Sequence, residues 1–225
     1  VDISSRLSNV NDIFEVTTKP LIFDGDTGGT PERCALNVRS MERVGISAII
    51  IEDKKGLKKN SLLGNEVNQV QEDIESFCDK IRVARAARVS DDFMVFARIE
   101  SLILEKGVKD ALKRAQSYVS SGVDGIMIHS RKKETAEVFE FASIFRSEFK
   151  YVPLACAPTS YNAVTEVELS AHGFNIVIYA NQMLRAAYPA MYRVAHEILR
   201  CGRSAEIEEQ LMGIREILNL VPGTR

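Results

Sequence analysis

Cysteine and long apolar runs are both scarce in this sequence, and each scarcity excludes a class of protein. The four cysteines, Cys34, Cys78, Cys156 and Cys201, are widely scattered without a Cys-x-x-Cys pair, which favours reduced thiols over a disulfide framework. No apolar stretch approaches the roughly 20 residues that cross a bilayer, and the opening VDISSRLSN lacks the basic start and apolar core of a signal peptide. We therefore expect a cytoplasmic protein without a transmembrane span.

An excess of one charge is also missing. The 225 residues include 29 Lys and Arg against 31 Asp and Glu, a formal net charge of -2. This balance gives no electrostatic reason to expect nucleic acid or an acidic membrane surface as a partner. With 45% hydrophobic residues, the chain is long enough to form one core of substantial size. We expect one domain over residues 1–225.

Short apolar runs alternate with segments of helical periodicity. The runs are hydrophobic throughout, which is typical of parallel strands buried on both faces. Six of them are present: PLIFDGD (20–26), ISAIIIED (46–53), FMVFARIE (93–100), DGIMIHS (124–130), VPLACAPT (152–159) and FNIVIYAN (174–181). Helices are predicted at residues 1–17, 31–44, 67–81, 108–119, 138–145, 165–171, 183–199 and 204–220. In the second helix, Leu36, Met41 and Val44 are predicted to point inward.

Two architectures place helices outside a parallel sheet: an open doubly wound sheet and a (β/α)8 barrel. Polar residues follow all six predicted strands. This favours the barrel, because the active site of a barrel is formed by residues from the C-terminal ends of all its strands. No G-x-G-x-x-G follows the first run, which disfavours a dinucleotide-binding sheet. Since six strands do not close an eight-stranded barrel, we expect strands three to eight of a TIM-type barrel. The first two units would precede residue 1, and extra helices would follow the last strand.

Three carboxylates are expected at neighbouring strand ends. Asp24 and Asp26 follow the first run, and Glu52 lies at the end of the second. A cation relieves the repulsion within such a cluster, and oxygen ligands suit Mg²⁺ or Mn²⁺ better than Zn²⁺. For Asp26 alone, a role as a turn residue ahead of two glycines is an equally good interpretation.

The longest polar interruption of the pattern is IEDKKGLKKNSLLGNE at residues 51–66. A long polar loop at a strand end is typical of an active-site lid. For any single lysine of this loop, a solvated surface position is the better interpretation. Taken together, the candidates for closing on an anionic substrate are Lys54, Lys55, Lys58, Lys59, Asn60 and Ser61.

Two basic residues end otherwise apolar runs. Arg98 lies within a buried strand, where an arginine requires a carboxylate of the protein or of a ligand. Glu100, two residues on, faces the same side and is the internal alternative. His129 follows three apolar residues, where a hydrogen-bonded core histidine is a common outcome. Because both are predicted at the barrel mouth, we favour anion binding for each.

Several segments together resemble, in order and spacing, the phosphoenolpyruvate mutase branch of the isocitrate lyase superfamily. They are LIFDGDTGG, IIEDKKGLKKNS, ARIESLILEKG, ALKRAQSYVSSGVDGIMIHS and VIYANQMLRAAYPAM. The resemblance implies a Mg²⁺-dependent (β/α)8 barrel that interconverts phosphoenolpyruvate and phosphonopyruvate, the entry to phosphonate biosynthesis. It also implies a homotetramer, a dimer of dimers that exchanges its last helix between subunits.

Roles for individual residues are implied by this resemblance. Asp24 would be the direct metal ligand, and Asp26 and Glu52 would hold metal-bound water. The residues with implied catalytic roles are Lys58, Asn60, Arg98 and His129. Those implied to bind substrate are Asn60, Ser61, Arg98 and His129.

Within the superfamily, two features favour a mutase. The loop lacks the KKCGH-like cysteine of the carbon–carbon lyases, and Asn60 stands where the phosphonopyruvate hydrolases usually have threonine. The family's nucleophilic aspartate and its Ser-Gly-Leu loop belong to the first two units, so we expect the chain as printed not to turn over. The alternatives are a phosphonopyruvate hydrolase, an oxaloacetate decarboxylase-like enzyme, and a catalytically incomplete binding or oligomerisation domain.

Overall fold

The computed structural model describes residues 3–56 and 59–220, in which strands and helices alternate. The strands are Ile22–Asp24 (β1), Ala48–Glu52 (β2), Met94–Ile99 (β3), Gly125–Ile128 (β4), Leu154–Cys156 (β5) and Ile176–Val177 (β6). The helices are Ile3–Val16 (α1), Pro31–Arg43 (α2), Ile74–Ala86 (α3), Gly107–Ser120 (α4), Ala136–Glu148 (α5), Glu166–Ala171 (α6), Gln182–Cys201 (α7) and Ile214–Ile217 (α8). Two short 3₁₀ helices lie at Ser61–Glu66 and Glu208–Gln210.

The chain divides into two compact units. Val1–Tyr179 holds the whole sheet, and Ala180–Arg225 holds α7 and α8. One domain over residues 1–225 therefore stays a prediction.

All six strands are parallel and lie in sequence order, β1 to β6. Because the order never reverses, right-handed crossovers place successive helices on one face, and the consecutive helices α2 to α5 do contact one another. The sheet curls into a half-barrel, which confirms the α/β class and the barrel-type topology over the doubly wound alternative. An eight-stranded closed barrel and two preceding strand units stay predictions.

The strands are buried on both faces, as their continuous apolar runs predict. Side chains alternate between the faces with a period of two. All five residues of β2 are buried, with Ile49 and Ile51 in the core beneath the helices and Ala48 and Ile50 in a second, smaller cluster on the concave face. The register pairs Glu52 with Arg98 at the carboxyl edge of the sheet.

Helix α2 begins as its sequence predicts. The side-chain oxygen of Thr30 accepts a hydrogen bond from the backbone nitrogen of Arg33, and a proline occupies the first turn. The prediction that Leu36 points inward is wrong, because this side chain is 56% exposed while Met41 is buried. At about 100° per residue, a spacing of five puts the two side chains on different faces.

Helix α3 is shorter than its apolar periodicity predicts. It begins at Ile74, where the carboxylate of Asp73 caps the backbone nitrogen of Ser76. Val67 and Val70 precede the helix, and the carbonyl of Val70 accepts a hydrogen bond from the backbone nitrogen of Lys55. The segment is thus paired with the start of the polar loop.

The second unit contains one long helix. Helix α7 ends at Gly202, whose φ of 67° is the left-handed conformation that glycine adopts readily. A continuous helix over residues 204–220 is wrong, since only Glu208–Gln210 and Ile214–Ile217 are helical. Gly213 has an extended backbone that interrupts the helical path. Among the described residues, no helix has the length and apolar character to span a membrane.

Candidate active site

A tight turn at the end of β1 presents the first two carboxylates. The backbone nitrogen of Asp26 donates to Asp24 Oδ1 at 3.0 Å, and Asp26 has a φ of 54°, a left-handed conformation that aspartate tolerates better than most residues. A side chain at Gly25 would lie 2.6 Å from Ile49 Cδ1, so only glycine fits there. The carbonyl of Asp26 accepts from the backbone nitrogen of Glu52 at 2.8 Å. This bond fixes the turn of Asp24, Gly25 and Asp26, which we call the carboxylate turn, against the end of β2.

An arginine from α1 binds this turn. Arg6 Nη1 donates to Asp26 Oδ2 at 3.1 Å, its Nη2 donates to the carbonyl of Asp24, and its guanidinium lies 4.2 Å from the centre of the Phe23 ring. Sequence reasoning missed Arg6, because nothing in an amphipathic helix signals which distant carboxylate its arginine will reach.

A cluster of charged residues occupies the ends of β2 and β3, with Glu52, Lys54 and Glu100 buried and Arg98 partly exposed. Arg98 Nε donates to Glu100 Oε1 at 2.6 Å and lies 3.9 Å from Glu52 Oε2. Lys54 Nζ lies 3.4 Å from Glu52 Oε1 and 3.3 Å from Glu100 Oε2. We call these four residues the strand-tip cluster. Two acids and two bases balance its charge, which is what burial of charges requires.

Ser61 joins the polar loop to the strand-tip cluster. Its hydroxyl donates to Glu100 Oε2 at 2.6 Å, and it accepts from Arg98 Nη2 at 2.8 Å and from Lys54 Nζ at 3.0 Å. A hydroxyl has one donor and two acceptor positions, so these bonds satisfy it completely. The structure therefore places Ser61 beside Arg98, as a residue that orients the guanidinium.

Lys54 differs from the solvated loop lysine that the sequence favours. It is 3% exposed, and its ammonium also donates to the carbonyl of Lys59 and to Gln69 Oε1. One signal was available in the sequence. Lys54 stands two positions after Glu52 and therefore shares its face of the strand end.

The charges of the cluster set one another's protonation. Burial alone would lower the pKa of Arg98, but the carboxylates of Glu100 and Glu52 raise it. Burial alone would raise the pKa of Glu100, but Arg98 and Lys54 hold it below its usual value. Arg98 and Glu100 are therefore both charged at neutral pH.

His129 is buried at the end of β4. Burial, followed by the charge of Arg98, lowers the pKa of His129 to about 4, so its imidazole is neutral at physiological pH. Within the described residues, Nδ1 has no hydrogen-bond partner. A neutral ring offers one donor and one acceptor nitrogen, which is suited to hydrogen bonding rather than to charge pairing.

Two further candidates of the loop, Asn60 and Lys58, are less informative. Asn60 is exposed, and its Oδ1 accepts from the backbone nitrogen of Leu62 at 2.9 Å as the cap of the 3₁₀ helix. Lys58 lies outside the described residues. Catalytic roles for both stay predictions.

Asp53 belongs to a second polar network on the helix side of the sheet. One carboxylate oxygen accepts from the backbone nitrogen of Glu100, and the other accepts from Gln71, Arg114 and Tyr118. Burial raises the pKa of Asp53 to about 7, and Arg114 acts in the opposite direction. The sequence assigns Asp53 no role, although its position between Glu52 and Lys54 implies the opposite face.

The predicted metal ligands come from one edge of the sheet. Asp24 and Asp26 share one turn, and Glu52 is hydrogen-bonded to that turn through its backbone. Across residues 3–56 and 59–220, no three His, Cys, Asp or Glu side chains are gathered closely enough to hold an ion, so the site stays a prediction. The donor set fits Mg²⁺ chemically, because all three side chains offer carboxylate oxygens.

The comparisons with known proteins point to one family. The family model described as phosphoenolpyruvate phosphomutase matches residues 1–199. A phosphonopyruvate hydrolase of Variovorax sp. is 37% identical over 222 residues, which cover 98% of this chain and 75% of the relative.

Solved structures show the same fold. A phosphoenolpyruvate phosphomutase from Streptomyces platensis subsp. rosaceus matches with a TM-score of 0.91 at 31% identity, covering 98% of this chain and 75% of that one. A phosphonopyruvate hydrolase in complex with oxalate and Mg²⁺ matches with a TM-score of 0.86 at 36% identity, with the same coverage of both chains.

Proposed function

The chain belongs to the phosphoenolpyruvate phosphomutase family, and from this premise we propose that the intact protein is a Mg²⁺-dependent phosphoenolpyruvate mutase. It would interconvert phosphoenolpyruvate and phosphonopyruvate, as an isomerase. The observation that carries the proposal is the largely buried Arg98, which Glu100 and Ser61 orient and which lies close enough to the carboxylate turn for the charge of Asp24 to act on it. An oriented guanidinium binds planar anionic groups such as carboxylate and phosphoryl oxygens.

The chain's own residues would bind and orient the substrate. Arg98 would hold the anionic oxygens by charge-assisted hydrogen bonds, and Glu100 and Ser61 would keep its guanidinium in place. His129 would add a neutral hydrogen bond, since its pKa is lowered to about 4. Asn60 and Lys58, from the loop, would complete the enclosure and exclude water, which otherwise hydrolyses the transferred group.

The metal would be held at the turn after β1. Asp24 would bind Mg²⁺ directly, and Asp26 and Glu52 would hold its water. When bound, Mg²⁺ supplies positive charge to the oxygens of a pyruvate-like acid. One of the solved relatives is described as a complex with oxalate and Mg²⁺, which supports this proposal.

The second candidate is phosphonopyruvate hydrolysis. The 37% identity to a phosphonopyruvate hydrolase favours it, whereas Asn60 in place of the hydrolases' usual threonine favours the mutase. The two reactions differ in their product. An oxaloacetate decarboxylase-like activity is a further alternative, and it would use the same carboxylate turn. It is tested by incubating the same protein with oxaloacetate.

Phosphorus NMR distinguishes the mutase from the hydrolase. The intact protein is incubated with phosphonopyruvate and Mg²⁺, and phosphoenolpyruvate or inorganic phosphate is followed over time. We expect phosphoenolpyruvate, and we expect Asp24→Ala to abolish turnover while Asp12→Ala, an exposed acid of α1, has no effect. Accumulating phosphate would assign a hydrolase. The absence of both products would contradict both activities and leave the decarboxylase-like enzyme, tested with oxaloacetate, and a binding or oligomerisation domain.

We also propose that the protein is a cytoplasmic homotetramer in which α7 mediates association. No residue of α7 is buried, and its exposed apolar side chains are suited to contact a second copy. They are Met183, Leu184, Tyr188, Met191, Tyr192 and Leu199. Light scattering of Met191→Asp against Arg193→Asp would test this, with dissociation expected for the first variant only.

A further inference from the structure

Within the described part of the chain, the ammonium of Lys54 directs its hydrogen bonds to one segment. It donates to the carbonyl of Lys59 at 3.1 Å, to Ser61 Oγ at 3.0 Å and to Gln69 Oε1 at 2.8 Å. A lysine ammonium has three protons and no acceptor. Its whole donor capacity is therefore used by residues 59–69.

Two carboxylates of the strand ends compensate the charge of Lys54. Glu52 and Glu100 lie 3.4 and 3.3 Å from the ammonium, and both belong to the strand ends. Both carboxylates are buried along with the lysine, so an uncompensated charge at any of the three is costly. Lys54 thus connects residues 59–69 to the strand-tip cluster by hydrogen bonds on one side and by charge on the other.

The base of this segment is fixed separately by the backbone. The carbonyl of Asp53 accepts from the backbone nitrogen of Glu72, and Lys54 and Gln71 form an antiparallel bridge. These bonds hold the end of the segment. Among the residues that the structure describes, polar contact of residues 59–66 with the strand ends is made through Lys54 and Ser61.

We propose that Lys54 is a positioning residue that holds residues 59–69 against the strand-tip cluster. Through Ser61 it keeps the guanidinium of Arg98 in one orientation, and through the carbonyl of Lys59 it fixes the place of Asn60. The effect on substrate rests on the proposed function, whereas the effect on the segment does not.

Hydrogen–deuterium exchange of the intact protein tests the positioning without substrate. In Lys54→Met, which keeps the length of the side chain, we expect backbone amides of residues 59–69 to exchange about tenfold faster. Lys55→Met is the matched control, because Lys55 is exposed and binds only Asp73 among the described residues. In Lys55→Met, the amides of residues 59–69 should exchange at the same rate as in the unmodified protein.

Two results would overturn the proposal. One is a folded Lys54→Met protein whose exchange at residues 59–69 matches that of the control. The other is faster exchange that extends equally through β3, which would show that Lys54 only neutralises Glu52 and Glu100. If Lys54→Met does not fold, Gln69→Ala replaces it, since it removes one acceptor and leaves the charges intact. Unchanged exchange in Gln69→Ala would then contradict the proposal.

The ratio of the two products provides a second measurement. Substitution of a lysine with a purely structural role would not change this ratio. A segment that is no longer held admits water to the phosphoryl group. With phosphonopyruvate as substrate, the fraction released as inorganic phosphate should therefore rise severalfold in Lys54→Met relative to the unmodified protein. If the unmodified protein shows no turnover, the proposed function fails while the exchange experiment still decides the role of Lys54.

Discussion

Three consecutive residues at the end of β2 belong to two different polar networks. Glu52 and Lys54 contact Arg98 and Glu100 in the strand-tip cluster. Asp53, between them, turns to the helix layer, where Arg114 and Tyr118 bind it. The alternation of side chains along a strand separates the two networks although they are adjacent in sequence.

The networks differ in what their charges are arranged to do. Asp53 accepts four hydrogen bonds, from the residue that follows β3, from two residues of α4 and from Gln71 ahead of α3, so its role is to join elements of the scaffold. The strand-tip cluster combines two acids and two bases with a loop residue, next to the carboxylate turn. We infer that the helix-side network contributes chiefly to stability and the strand-tip cluster chiefly to binding.

Asp53→Ala should give the largest change in stability. It leaves the buried guanidinium of Arg114 and the hydroxyl of Tyr118 without their common acceptor, and we expect the free energy of unfolding to fall by about 3–5 kcal/mol. Urea denaturation at pH 8 measures this. Asp73→Ala, which removes an exposed helix cap, should lose only about 1 kcal/mol. Equal losses would contradict the inference that Asp53 has a chiefly stabilising role.

Arg98→Lys should change activity more than stability. The substitution keeps the charge facing Glu100 but loses the planar fork, so kcat/KM for phosphonopyruvate should fall on the order of 100-fold. The free energy of unfolding should change little in the same denaturation experiment. A large loss of stability with unchanged kcat/KM would place Arg98 with the scaffold residues.

His129 should make stability depend on pH. The unfolded imidazole binds its proton near pH 6.5, whereas the buried ring has a pKa lowered to about 4. Between these values the unfolded state binds more protons, so stability falls as the pH decreases from 6.5 to 4. Between pH 7 and 4.5, we expect His129 to account for about 2 kcal/mol of the decrease in the free energy of unfolding. The variant His129→Gln should lack this part of the decrease. The control variant His172→Gln, which changes an exposed histidine, should show the same decrease as the unmodified protein.

Thiol labelling should give the smallest and most local result. Burial raises the pKa of Cys34 to about 11 and that of Cys156 to about 12, and both lie in the core on the helix side. At pH 8 we expect the half-exposed Cys201 to react quickly and these two to react only after unfolding. Fast labelling of Cys34 would show that water reaches the helix side of the sheet.

Much of the fold was predictable from local patterns. Continuous apolar runs predict six parallel strands, and Thr30 marks the start of α2 because capping is a short-range effect. The predictions that were wrong, an inward Leu36 and a continuous final helix, relied on apolar content without the exact helical phase or the interrupting glycine.

The sequence by itself determined which residues stand at strand ends, and hence that Glu52, Arg98 and His129 share one edge of a parallel sheet. Only the tertiary structure decided how they are used. Lys54 is buried because acceptors 5 to 15 residues away and a carboxylate from the neighbouring strand surround it. Arg6 reaches Asp26 across 20 residues for the same reason. Such partners depend on the packing of elements, which no local pattern of residues encodes.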